Sequence, residues 1–116
     1  MRVNVKELIG EHALTFEDGE VIYNLIHPEL SKGKPVVLEF DGVEIFSSPF
    51  FNSGIGRLLK DISSDDLNRL LEIKNITPAG RMVLRQVIEN SKQYYLLDAS
   101  TRNDYDEILT GDIENI

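Results

Sequence analysis

The sequence predicts an α/β fold: a small mixed sheet of four strands, or five, with helices packed on it. Three observations lead there. A nearly unbroken apolar run, Val36-Val37-Leu38-Glu39-Phe40, stops at Asp41-Gly42, as a buried strand entering a turn does. Just before it, Val21, Ile22, Leu25, Ile26 and Leu30 recur at helical spacing. Two hydroxyl–proline pairs, Ser48-Pro49 and Thr77-Pro78, each join an N-cap residue to one suited to the first helical position. Strands and helices therefore alternate in the order β-α-β-α-β-α-β, a layered arrangement whose parallel neighbours are joined by right-handed crossovers.

Each element has its own local reason. Val3 and Val5 alternate with Asn4 and Lys6, predicting a first strand over residues 2–8. Residues 10–12 form a loop. Thr15 caps the first helix, with Glu17 and Asp18 in the first turn, where the helix dipole favours acids. Pro28 and Gly33 mark its end, and residues 31–35 a turn. The run 36–40 is a central strand, and 43–46 a second short apolar step. Ser48 is then the expected N-cap of a helix over 48–62, with Pro49 at its first position. Phe51, Ile55, Leu58 and Ile62 supply its buried stripe. Gly54 and Gly56 inside it each cost about 1 kcal/mol relative to alanine, so a close approach of backbone or partner is expected there. Residues 63–66 read as a loop or a cap. Leu71 and Ile73 predict a third main strand at 70–75. Thr77 opens a helix carrying Leu84, Val87, Ile88 and Ser91 on one face, and 94–97 reads as a last strand. The domain is expected to span residues 1–97. Residues 98–116 hold six acids against one base, Arg102, and read as an exposed acidic tail or, through Ile108-Leu109, as a segment that docks on a partner.

Composition narrows the function. With 116 residues, 41% of them hydrophobic, and a mean hydropathy of −0.19, one domain with its own core is expected. No apolar run is long enough to span a bilayer, and MRVNVKELIG lacks the apolar segment of a signal peptide, so the cytoplasm is the expected compartment. A net charge of −8 argues against nucleic acid, whose binding draws on basic residues, and against anionic membranes. It fits plain solubility or a partner with a basic face. Cysteine is absent, which removes disulfides, thiolate nucleophiles and sulfur-ligated metals. His12 and His27 are too few for a zinc site and stand in no spacing that implies pairing with Ser48. Asp65-Asp66 read as solvated cap residues before they read as magnesium ligands. No catalytic residue, metal or cofactor is expected.

The candidate site gathers where the central strand hands over to the next helix. Asp41 ends the strand, as a turn cap with Gly42 or as a group that meets a partner. Ser48 is a plain helix cap or a phosphoacceptor whose added charge the helix start stabilises and a docked partner surface resists. Ser47 is the second candidate phosphoacceptor. Asn52, Ser53 and Gly54 follow one turn on, as partner- or ligand-binding positions. Phe46, Phe50 and Phe51 crowd so closely in sequence that at least one is expected near the surface, in a hydrophobic contact.

Several of these residues carry a family resemblance: Gly19 with the first helix's apolar positions, the run from Gly33 to Val43, Ser47-Ser48 with Phe50, Gly56, and Ile73-Lys74-Asn75-Ile76. Together they resemble the STAS domain of anti-sigma factor antagonists and sulfate-transporter cytoplasmic domains. More narrowly, they resemble a bacterial STAS-like family of unknown function. In the antagonists, an aspartate-serine-serine-glycine motif opens the helix after the second main strand, and a GHKL-type ATP-dependent kinase phosphorylates one serine. Counted from Asp41, Ser47-Ser48 fall on the motif's serines and Ser48 on the phosphoacceptor. Phe46 stands in place of the aspartate and Pro49 in place of the glycine. The resemblance implies a non-enzymatic regulatory or adaptor domain. Its partner would be an ATP-binding kinase-like protein, met through residues 41–47 and the following helix. The alternative is a sensor that binds a nucleotide or anion at the Ser48 helix start.

Overall fold

The computed structural model describes residues 1–95. The expected acidic tail, and residues 96–97 of the expected last strand, lie outside the described residues. Strands β1 (Arg2–Asn4), β3 (Val36–Glu39) and β5 (Leu71–Lys74) form a parallel sheet in the order β1-β3-β5. The apolar run at 36–39 is central, as its composition requires. Strands β2 (His12–Ala13) and β4 (Ile45–Phe46) form a separate parallel pair. The expected single mixed sheet is thereby corrected. After β3 the chain turns at Gly42, whose φ of 85° suits glycine, and β4 meets β2 instead of extending the main sheet.

The sheet has one apolar face. Its register aligns Val3, Leu38 and Ile73, with Val36 beside Leu71, on the side that joins the core. Arg2, Val37 and Glu72, then Asn4, Glu39 and Lys74, alternate to the other side. The core is completed by Ile22, Ile26 and Leu30 from α2 (Phe16–Ser31), by Phe50 and Phe51 from α3 (Ser48–Gly54), by Leu58 from a 3₁₀ turn (Gly56–Lys60), by Leu67 from α4 (Ser64–Leu70) and by Val87 from α5 (Pro78–Tyr95).

Several boundaries differ from expectation for local reasons. The first strand stops at Asn4, because its side chain accepts a hydrogen bond from Glu7 N at 3.0 Å and caps a short helix, α1 (Val5–Ile9). Helix α2 runs three residues past Pro28; Asn24, whose carbonyl Pro28 leaves without a helical donor, lies on the exposed side. Val21 and Leu25 stay 43% and 39% exposed, outside the buried stripe. The helix expected over 48–62 breaks into α3 and the 3₁₀ turn at Ile55, although Phe51, Ile55, Leu58 and Ile62 are all buried. Tyr94 and Tyr95 belong to α5 and not to a strand, since they continue the spacing set by Val87 and Ser91.

The glycines explain that break. A Cβ on Gly19 of α2 would overlap Ser53 Oγ and the Phe50 carbonyl of α3, and one on Gly54 would sit 3.2 Å from the Gly19 carbonyl. A Cβ on Gly56 would run into Ser91 and Val87 of α5. Ser53 Oγ, itself buried, donates to the Phe16 carbonyl at 2.7 Å and joins α3 to the first turn of α2. Two backbones thus touch where side chains would hold them apart. Gly19→Ala is expected to destabilise the domain by about 1–3 kcal/mol through overpacking, more than the ~1 kcal/mol alanine adds to helix propensity. A lowered urea midpoint checks this, and an unchanged or raised one contradicts it.

Candidate functional site

Strand β4 runs straight into α3, and Ser47 is the hinge between them. Its backbone is extended (φ −137°, ψ 158°), its N–H donates to the Ala13 carbonyl at 3.0 Å, and its hydroxyl donates to the Leu14 carbonyl at 2.6 Å. The same oxygen accepts the N–H of Phe50 at 3.4 Å, so Ser47 is the N-cap of α3. This corrects the expectation for Ser48 by one residue. An N-cap must be extended, and here the extended residue is the one still hydrogen-bonded to the segment after β2. Ser48 becomes the first helical residue and Pro49 the second, where a missing N–H still leaves no helical bond unmade. The Ser48 side chain is exposed and makes no hydrogen bond among the described residues.

Three exposed apolar residues lie near this start along the backbone. Leu14, Phe16 and Ile45 are 42%, 46% and 46% exposed. The bonds from Ser47 to Leu14 and from Ser53 to Phe16 hold two of them beside α3, and Ile45 lies two residues before Ser47 in β4. Glu11, Glu17, Asp41 and Glu44, all exposed, neighbour them along the chain. Asn52 is exposed on α3. Phe50, Ser53 and Gly54 are buried, so they support the site from beneath and are not open to a visitor. Phe46 is half-buried. Its ring stacks on Phe51 at 5.6 Å and lies 5.9 Å from Phe40, so of the crowded phenylalanines it is the one near the surface.

Asp41 is positioned from below by Glu39. The Glu39 carboxylate accepts from Asn75 Nδ2 at 2.8 Å, from Arg2 Nη2 at 2.8 Å and from the Asp41 N–H at 3.2 Å. The bond from Asn75 first, then the Asp41 N–H and the Arg2 charge, hold its pKa below the ordinary carboxylate range, against the opposing effect of burial. Asn75 takes a left-handed φ of 57° just past β5, a conformation asparagine tolerates, and this places its amide on Glu39. The acid that interrupts the apolar run at 36–40 is therefore the tie between all three main strands.

A second cluster lies along α2. Arg57 sits over the Tyr23 ring at 3.9 Å, Tyr23 stacks on His27 at 4.8 Å, and His27 Nε2 meets Asp61 Oδ2 at 2.8 Å. Burial, then the nearby Asp61, raises the Tyr23 pKa, and Arg57 opposes them. His27 is thus engaged in linking α2 to the residue after the 3₁₀ turn. Among the described residues, no group of three or more His, Asp or Glu is placed to hold a metal ion. No described helix is long and apolar enough to cross a membrane.

Leu14, Phe16 and Ile45 were not singled out by the sequence. The available signal was that Phe16 lies off the stripe of Ile22, Ile26 and Leu30, so its helix could not bury it. A family model described as a STAS-like domain of unknown function matches residues 18–81, from the first turn of α2 to that of α5. No curated protein and no solved structure matches the chain.

Two outcomes follow from the site. Ser47→Ala removes the cap of α3 and is expected to cost about 1 kcal/mol, whereas exposed Ser48→Ala should stay within about 0.5 kcal/mol of the original. Denaturant melts of the two variants check this, and reversed costs would restore Ser48 as the cap. Glu39 has a lowered folded-state pKa, so its contribution to stability is present above the ordinary carboxylate value and disappears as pH falls through the lowered one. Melting temperature should therefore fall with acid more steeply for the original chain than for Glu39→Gln. Parallel curves would mean that the network carries no such linkage.

Proposed function

This chain belongs to the family of STAS-like domains of unknown function, and on that footing we propose that it is a regulatory or adaptor domain that acts by binding another protein. The observation that carries the reading is the exposed Ser48 at a helix start to which the backbones of two exposed apolar residues, Leu14 and Phe16, are hydrogen-bonded through Ser47 and Ser53, with exposed Ile45 three residues before it and exposed acids next to these residues in sequence. Apolar centre and charged rim are the anatomy of a protein-recognition surface. The acids speed encounter with a partner that is basic around its own apolar patch. That partner is an ATP-binding protein of the GHKL kinase-like type.

Ser48 serves as the switch. The Ser48 Oγ attacks the γ-phosphorus of the partner's ATP, the bond to the β-phosphate oxygen breaks, ADP leaves, and the hydroxyl proton passes to a base on the partner. The product carries nearly two negative charges at the rim of the apolar patch, where they oppose desolvation by a docked surface. Ser47 is the poorer acceptor, because its hydroxyl is already held by Leu14 and Phe50. The anion-sensor alternative has less support. Pro49 has no N–H to offer, and those of Phe50 and Phe51 already bond to Ser47.

Titration calorimetry against the ATP-binding kinase-like proteins of the source genome, taken one at a time, tests the proposal. One of them should bind the chain, and Phe16→Asp and Ser48→Glu should each weaken that binding by about tenfold or more, or ~1.4 kcal/mol, with melting temperatures unchanged. Mass spectrometry after incubation with magnesium-ATP should then find phosphate on Ser48. Equal binding by the original and both variants would remove this surface from the interaction. Binding by none of those proteins would remove the partner class.

A further inference from the structure

On another flank of the molecule, an apolar groove of about 130 Å³ runs between α4, β5 and α5, walled by Leu67, Leu71, Ile73, Leu84 and Ile88. An apolar cavity of roughly this size takes up a benzene-sized guest. At one end Lys92 and Leu59 are shared with a wider cleft of about 440 Å³, whose wall includes Tyr95. The groove therefore opens toward the place where the described chain stops.

Lys92, 3.8 Å from Glu89, is the charged residue of its wall, the wider cleft adds Lys60, Asp61 and Asp65, and a basic stripe of α5 runs alongside. Arg81, Arg85 and Lys92 share one stripe of α5 with Ile88, at spacings of three and four residues, against a single acid on that side, Glu89. Arg81 and Arg85 are exposed and make no ion pair among the described residues. The 21 residues that follow Tyr95 hold six acids and one base, and within them Ile108-Leu109 comes directly after Asp104, Asp106 and Glu107. Seven helical residues separate Tyr95 from Ile88, about 10 Å along the axis. The thirteen residues from Tyr95 to Ile108 reach up to ~43 Å, so the span is well within range.

We propose that Ile108 and Leu109 of the chain's own C-terminal segment occupy the groove between α4, β5 and α5, with the acids before them against the basic stripe of α5. Charge, reach and the position of the exit all select this occupant over a separate protein. Being tethered, it binds at an effective concentration that no free partner of equal intrinsic affinity matches. The groove is distinct from the Ser48 surface, and its occupancy does not depend on the function proposed there.

The absence of cysteine makes the test direct. A spin label is attached through Gly111→Cys in the full chain, and methyl NMR signals are compared with the label active and reduced. Signals of Leu67, Ile73, Leu84 and Ile88 should lose about half or more of their height, since a linker this short holds a tethered segment at millimolar effective concentration. Adding I108D and L109D should restore them while the melting temperature stays unchanged. Undiminished signals at those four residues would overturn the proposal, as would losses centred on Leu14 and Ile45. A third sample mixes isotope-labelled chain without the tag and spin-labelled chain without isotope. Losses that persist there place the segment of one copy on another and also overturn it.

Discussion

The contact between the backbones of α2 and α3 is the constraint on which the rest of this molecule depends. Gly19 and Gly54 let the two helices approach to a distance that any side chain would forbid, and Ser53 fastens the approach with a hydrogen bond to the first turn of α2. Because α3 is pinned there, Phe50 and Phe51 are driven under it into the core, and the residue preceding the helix is brought beside the segment after β2. The small β2–β4 ladder and the Ser47 cap are consequences of the same placement. So is the exposure of Phe16, which lies at the start of α2 with its carbonyl bonded to Ser53 and its ring left outside.

The main sheet works under a different constraint. Only one of its faces is apolar, and the other carries the charges of Arg2, Glu39, Glu72 and Lys74, among which Glu39 is buried. Glu39 lies on the central strand. It accepts hydrogen bonds from a residue of the first strand, from the turn after its own strand, and from the loop after the third. A carboxylate with several donors is satisfied although it is nearly buried. The strand ends on the side of Asp41 are therefore set relative to one another by polar bonds, whereas the opposite face is set by packing.

These two constraints divide labour at the serine pair. Ser47 is consumed structurally, both as donor and as acceptor, and its neighbour is left with nothing to hold. Ser48 is exposed and makes no hydrogen bond among the described residues, so the local structure does not depend on its side chain.

The mixed α/β class, the central strand at 36–39, the caps at Thr15 and Thr77, and the buried stripe Phe51, Ile55, Leu58 and Ile62 were all determined by the sequence itself. Each rests on residues within a few positions of one another, where periodicity and hydroxyl capping act locally. The tie formed by Glu39, the transfer of the cap from Ser48 to Ser47, the break of the second long helix at Ile55, the separate β2–β4 pair and the patch around Ser48 were decided only in three dimensions. Each requires a partner more than thirty residues away, such as Leu14 for Ser47, Gly19 for Gly54 or Asn75 for Glu39. Sequence spacing carries no information about which distant backbone will supply a carbonyl or demand a glycine, so those choices emerge only when the helices are laid against one another.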